Sequence, residues 1–311
     1  MDEENCEPHW SDDDRWRRVL DGGLELRATE RPDSPLLEHF FAGYDRAFVL
    51  PDEREELDGF RACLAINPRT RRRFGRFHRE LVMVVDDPAT GQLLGGANFL
   101  ATRFDDAPTG HPPVTVALNY LFVEAAARGR GLARMLKAEV GRLANAAVAA
   151  PPGAPAPAIF IEQNDPMRLT AEEYAADSAH AGIDQIDRLN VWARMGAKLV
   201  DFGYVQPPLS ATQACDDGLA YAVMGLDGGM VDAAYLRAHL ESFFGISVLK
   251  GGDPHAEPSA RAQLAALAAM SAAGTPVTLI AMQPVIDALR ALPSLPDAAT
   301  LRDYARGLLL Q

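Results

Sequence analysis

Residues 128 to 133 read Arg128-Gly129-Arg130-Gly131-Leu132-Ala133, and they sit between two runs of opposite periodicity. Before them, Val114 to Val123 is an apolar, strand-like run; after them, Leu132, Met135, Leu136, Val140 and Leu143 recur at three- and four-residue spacing, the stripe of an amphipathic helix. A glycine turn between a strand and a helix exposes consecutive backbone N–H groups at the positive end of the helix dipole. That is an anion site suited to phosphate. Gly129 and Gly131 carry no Cβ, so the backbone there can bend and come close to phosphate oxygens. Ala133 keeps the first helical turn small, and Arg128, Arg130 and Arg134 can complement phosphate charge.

The surrounding pattern predicts a mixed α/β sheet. Leu24 to Ala28 reads as an edge strand. Ser34-Pro35 reads as an N-cap and first helical position, with Leu36, Leu37, Phe40, Phe41, Tyr44 and Phe48 at helical spacing. A second helix is expected from near Asp52 to Asn67-Pro68. Leu81 to Val85 and Leu93 to Ala101 flank a turn at residues 86–91, and Gly95-Gly96 marks a bulge or a close backbone approach. Ala158 to Glu162 is a short buried strand. Thr170 with Glu173 forms a capping-box signature, a further helix covers about Gln185 to Met195, and Lys198 to Val205 and Gly218 to Leu226 read as strands. Val231 to Phe244, Pro258 to Met270 and Ala298 to Leu310 read as amphipathic helices. Their role is left open between a small appendage, a homodimer contact and a lid.

Composition removes several classes. The chain has 311 residues and a formal net charge of -13. A nucleic-acid groove needs concentrated Lys and Arg, so no nucleic-acid partner is expected. The one basic cluster, Arg71, Arg72, Arg73, Arg76 and Arg79, reads as a solvated turn. No apolar run reaches the roughly 18 residues that span a bilayer, and the acidic start, Met1-Asp2-Glu3-Glu4, is unlike a secretory signal. Cys6, Cys63 and Cys215 are too scattered for a disulfide framework or a metal site, so reduced cytoplasmic thiols, no metal and no membrane partner are expected.

The spacing R-x-x-G-x-A, the strand before it, the helix after it and the hairpin upstream together resemble the acyl-CoA loop of the GNAT (acyl-CoA N-acyltransferase) superfamily. The resemblance covers about residues 24 to 227. It implies a mixed, mostly antiparallel sheet with two splayed central parallel strands, here 114–123 and 157–162, flanked by helices. Residues 1–23 are then an acidic, poorly ordered lead-in and 228–311 a mainly helical C-terminal extension. Acetyl-CoA or another acyl-CoA enters the splay as co-substrate. Leu121, Phe122 and Val123 border its pantetheine, Asn164 bonds the pantetheine amides, and Arg128, Gly129, Arg130, Gly131, Leu132, Ala133 and Arg134 receive the pyrophosphate.

The implied reaction is acyl transfer to a small-molecule or protein amine, which needs a base, a stabilised oxyanion and a proton for the departing thiolate. A backbone N–H of Phe122 or Val123 can face the thioester oxygen. Glu162 and Glu124, each at a strand end, are the candidate bases. Where family members commonly carry a Tyr acid, this chain has Trp192, and Ala197 replaces the Phe of a Gly-Phe pair; Tyr120, Tyr174 and Tyr204 are replacements by chemistry alone. The acids between 165 and 190 either line a cleft for a cationic amine or belong to a solvated helix pair. The Trp192 substitution keeps a second reading open, a non-catalytic acyl-CoA sensor or scaffold.

Overall fold

The computed structural model describes residues 15–48, 54–67, 72–210 and 213–310. Its strands are β1 (Arg15–Val19), β2 (Glu25–Thr29), β3 (Arg72–Arg73), β4 (Arg76–Asp87), β5 (Gln92–Arg103), β6 (Val114–Val123), β7 (Ala158–Asn164), β8 (Lys198–Val200), β9 (Leu219–Met224), β10 (Met230–Val231) and β11 (Val277–Ala281). Its α-helices are α1 (Pro35–Ala47), α2 (Leu57–Ala65), α3 (Leu132–Ala147), α4 (Ala171–Ala181), α5 (Gln185–Ala193), α6 (Ala233–Phe243), α7 (Pro258–Ala272), α8 (Met282–Arg290) and α9 (Leu301–Leu309). The strands form one sheet in the order β1-β2-β4-β5-β6-β7-β9-β8-β11-β10, with β3 turned back onto β4.

Among the described residues, β6 and β7 are the one parallel pair, and they pair only from Thr115↔Ala158 to Leu118↔Ile161. Beyond that point each strand keeps its outer neighbour and loses the inner one. Tyr120 to Val123 stay registered with Asn98 to Gly95 of β5. Glu162 to Asn164 stay registered with Tyr221 to Leu219 of β9. A bulge coincides with the split: Asn98 faces Tyr120 while Phe99 faces Leu118, so Asn119 is an extra residue in β6. An extra residue bends the strand and increases its local twist, which turns β6 away from β7.

Helices cover both faces. On one, α3, α5, α8 and α9 pack over Leu81, Met83, Ala97, Phe99, Val116, Ile159 and Ile161. On the other, α1 and α2 cover Val82, Val84 and Phe122, while α6 and α7 cover Leu100, Ala117 and Phe160. Local chemistry sets the helix ends. The Ser34 side chain accepts from Leu36 N ahead of Pro35, and Thr170 and Glu173 form the reciprocal capping box. Gly196, at φ +88°, follows α5.

Several expectations need revision. Residues 15–19 are an outer strand on β2 rather than part of a lead-in, so β2 is not an edge; residues 1–14 lie outside the described residues. The start near Asp52 also lies outside them, and α2 begins at Leu57 after Glu56. The strand expected over 198–205 stops at Val200, where the chain leaves the sheet towards Pro207-Pro208. Residues 228–311 are mainly helical, and they also supply β11, which pairs with β8 and carries the sheet past residue 227. Arg73, Arg76 and Arg79 are not a solvated turn: Arg73 donates to Gly251 O at 2.6 Å, Arg76 pairs with Glu241, and Arg79 pairs with Glu30 at 2.6 Å.

Gly95 is where β5 and β6 come closest. A Cβ there would lie 2.6 Å from the Phe122 carbonyl oxygen, a backbone atom that cannot rotate away. Gly95→Ala is therefore expected to destabilise the fold by about 1–3 kcal/mol, read by urea or thermal unfolding; a wild-type melting curve would contradict this close approach.

Candidate active site

The split between β6 and β7 opens into a cavity of about 190 Å³. Its walls include Asn119, Tyr120 and Leu121 from β6 and Glu162, Gln163 and Asn164 from β7. Glu80, Asn98, Trp192, Gln206 and Ser247 also line it. The inner edges of both strands are unpaired here, so their peptide groups are available to an extended ligand that adds itself as a strand. Glu124 N–H donates to Leu94 O at 2.9 Å. By the two-residue alternation of an antiparallel ladder, the N–H groups of Leu121 and Val123 face the open edge and that of Phe122 faces β5. The Phe122 ring itself is core, 5.7 Å from Phe40 between centroids.

The glycine turn stands just beyond β6. A 3-10 turn, Ala125–Ala127, leads into Arg128, and Gly129 and Gly131 adopt φ of +76° and +79°. Gly131 is the N-cap of α3 and offers no side-chain oxygen, so the first-turn N–H groups have no side-chain acceptor. A Cβ at either glycine would meet nothing within 4 Å; it is the left-handed backbone, not crowding, that calls for glycine. Arg130 and Arg134 are exposed. Lys137 is held below the ordinary lysine range by burial and by Arg134, which marks this end of α3 as a concentration of positive charge. Arg128 is differently employed: its guanidinium donates to Ala181 O at 2.6 Å and ties the turn to the end of α4. Leu132 is buried beneath the turn, and Ala133 is half-buried.

The carboxylates separate clearly. Glu162 lines the cavity, accepts from the Tyr204 hydroxyl, and accepts from Gln206 Nε2 at 3.1 Å. Burial, with Asp216 nearby, pushes its pKa up to about 7 despite those hydrogen bonds. Glu124 instead pairs with Arg46 of α1 and is not among the lining residues. Four of the acids of 165–190 hold structural partners. Asp165 Oδ2 accepts from Leu301 N at 2.7 Å, Asp177 pairs with Arg188, Asp184 caps α5, and Asp187 pairs with Arg290.

The aromatic candidates also part ways. Tyr174 donates to Asp184 Oδ2 at 2.7 Å and is not among the lining residues. Tyr204 is committed to Glu162. Tyr120 lines the cavity with its ring edge-on to Tyr44, 4.8 Å between centroids, and burial raises its hydroxyl well above the ordinary range. Trp192 lines the cavity as well.

Sequence reasoning missed Glu80. It lies in the middle of β4, is 1 % exposed, and lines the same cavity. Asn98 Nδ2 donates to its Oε1 at 2.7 Å, Asn119 Nδ2 to the same oxygen at 2.9 Å, and Ser247 Oγ to Oε2 at 2.8 Å. Burial raises its pKa to about 7. The available signal was a lone Glu at the head of the apolar run 81–85, a position where a charge is expensive. Among the described residues no group of three His, Cys, Asp or Glu side chains could hold a metal ion, and no helix is long and apolar enough to cross a membrane.

No family model and no curated protein matches the chain. Solved structures do resemble it at low identity. Arabidopsis thaliana NAA60 in complex with acetyl-CoA is 15 % identical over 66 % of this chain and 99 % of its own, with a TM-score of 0.37. An aminoglycoside 6'-N-acetyltransferase complexed with coenzyme A is 13 % identical over 64 % and 95 %, with a TM-score of 0.36. A chain of the NatC complex bound to Gag peptide and CoA is 15 % identical over 65 % and 98 %, with a TM-score of 0.34. In its own strand order, the one parallel pair among the described residues, which separates after four residue pairs, and the glycine turn that follows the first of those strands, the chain has the fold of the GNAT acyltransferases.

Proposed function

We propose that the protein is an acyl-CoA-dependent N-acyltransferase that moves an acetyl or other short acyl group to a primary amine by direct attack on the thioester. One observation carries this reading: the strand whose edge opens onto the gap ends just before an uncapped glycine turn, and a carboxylate poised near neutral pH lines the same gap. The pantetheine arm pairs with the free edge of β6 at Leu121 and Val123, and Asn164 bonds one of its amides. The pyrophosphate rests on the N–H groups that follow Gly129 and Gly131, with Arg130 and Arg134 as counter-charges. Arg128 holds the turn in place through Ala181 rather than contacting phosphate.

In this mechanism Glu162 removes the proton that keeps the amine from attacking. A carboxylate with a pKa near the working pH combines a large deprotonated fraction with useful basicity. The amine nitrogen bonds to the thioester carbon, the carbonyl oxygen gathers negative charge, and an edge N–H of Val123 or Leu121 stabilises it. The C–S bond then breaks. Tyr120, which stays protonated at neutral pH, gives its proton to the leaving thiolate and takes up the remaining extra proton of the attacking nitrogen, so that the products are a neutral amide and a free thiol. Glu124, committed to Arg46, has no part in the chemistry.

Two measurements test this reading. With acetyl-CoA and an amine panel, release of free thiol should be seen, and kcat/KM should rise with pH through about 7 as Glu162 loses its proton. Glu162→Gln should lower turnover at neutral pH by about 10²-fold, remove that limb, and recover in part at high pH, where the free amine is abundant; wild-type activity in this variant rules Glu162 out as base. Acyl-CoA binding without thiol release from any amine would favour the sensor reading. Separately, Gly131→Leu, strained at φ +79°, should distort the turn and raise the Kd for CoA about tenfold, by calorimetry, with the rest of the fold intact because the added Cβ meets no neighbour within 4 Å. Unchanged affinity would remove the glycine turn from the site.

A further inference from the structure

The mechanism above leaves Glu80 unused, although this carboxylate is the most deeply buried of those lining the cavity. Its partners are neutral: Asn98, Asn119 and Ser247, all donors. The cations near the cavity are already paired, Lys250 with Glu55 at 2.7 Å and Arg188 with Asp177. An ionised carboxylate in such a place is costly unless a positive charge joins it.

Acceptor atoms surround it. Ser247 Oγ gives its hydrogen to Glu80 and keeps its lone pairs. Asn119 Nδ2 donates to Glu80 and, at 2.8 Å, to Asn98 Oδ1, which fixes the amide orientation; its Oδ1 is shielded from solvent and has no hydrogen-bond partner among the described residues. Glu80 Oε2 accepts from Ser247 and has a lone pair to spare. At this end of the cavity there are thus three available acceptor oxygens, equal in number to the three N–H donors of a primary ammonium group, which has no acceptor of its own. Both unusual backbone features of the region serve this spot: the β6 bulge delivers Asn119, and the π-helical turn Phe244–Val248 delivers Ser247.

Glu80 and Glu162 share one face of the sheet but lie on strands three spacings apart, and because β6 and β7 have parted by Glu162 their backbones are more than about 14 Å apart. One ammonium cannot serve both. We propose that the Glu80 end of the cavity is a subsite for a second ammonium group, so that the acceptor is an extended diamine whose far end is held by Glu80, Ser247 and Asn119 while its near end is acylated beside Glu162. This inference rests on the acyl-transfer reading for the chemistry of the near end.

Calorimetric titration of the CoA-saturated protein with α,ω-diaminoalkanes, and with n-alkylamines of the same chain length, tests it above pH 7. The best diamine should bind at least about tenfold more tightly than its matched monoamine, and Glu80→Gln should abolish that preference. Equal binding of the matched pair by the wild-type protein, or a preference that survives in Glu80→Gln, overturns the subsite. Should Glu80→Gln fail to fold, Ser247→Ala is expected to reduce the same preference, and the wild-type comparison alone still decides. The diamine preference without thiol release would refute acyl transfer and leave the subsite standing. Turnover of monoamines with no diamine preference would do the reverse.

Discussion

The cavity of this molecule depends on a lost set of hydrogen bonds, those that β6 and β7 stop making after Leu118 and Ile161. A parallel pair buried in the middle of a sheet would ordinarily continue, because unpaired peptide groups in an interior are expensive. Here the extra residue at Asn119 bends β6, while β5 and β9 hold the two separated strands from outside. The open edges are thereby fixed in place instead of collapsing on each other. A gap maintained in this way has the width and the donors and acceptors for one more extended chain.

Two buried carboxylates flank the gap, and each is kept near neutral pKa by opposing effects. Burial drives Glu80 and Glu162 towards the neutral acid, and neutral donors draw them back. Among the described residues no arginine or lysine is paired with either one, in contrast to Glu124 with Arg46 or Asp177 with Arg188. That difference separates the two carboxylates that face the cavity from those held in ion pairs.

Much of the frame was legible in the sequence because it is written in local chemistry. The limits of β6 and the start of α3 follow from an apolar run, a pair of glycines and a helical stripe. The capping box at Thr170 follows from two side chains three residues apart. Glu162 was reachable as a polar residue closing a buried strand. Less was legible where partners are distant. Glu80 looks like the polar edge of an apolar run until Ser247 is brought to it, and the basic residues 73–79 look solvated until Gly251 and Glu241 arrive. The strand β11 is a short apolar run whose identity depends on its pairing with β8. Arg128 matched a motif, yet its donors went to Ala181, an atom that no linear pattern could have named.

The bond between Ser247 and Glu80 joins residues 167 positions apart. During synthesis the sheet as far as β9 can assemble while Glu80 still lacks its hydroxyl partner, because the π-helical turn has yet to be made. A nascent chain at that stage would have the glycine turn but an incomplete far wall. Completion of the pocket is thus tied to long-range closure, the slow kind of contact in folding, and comes late in the birth of the molecule.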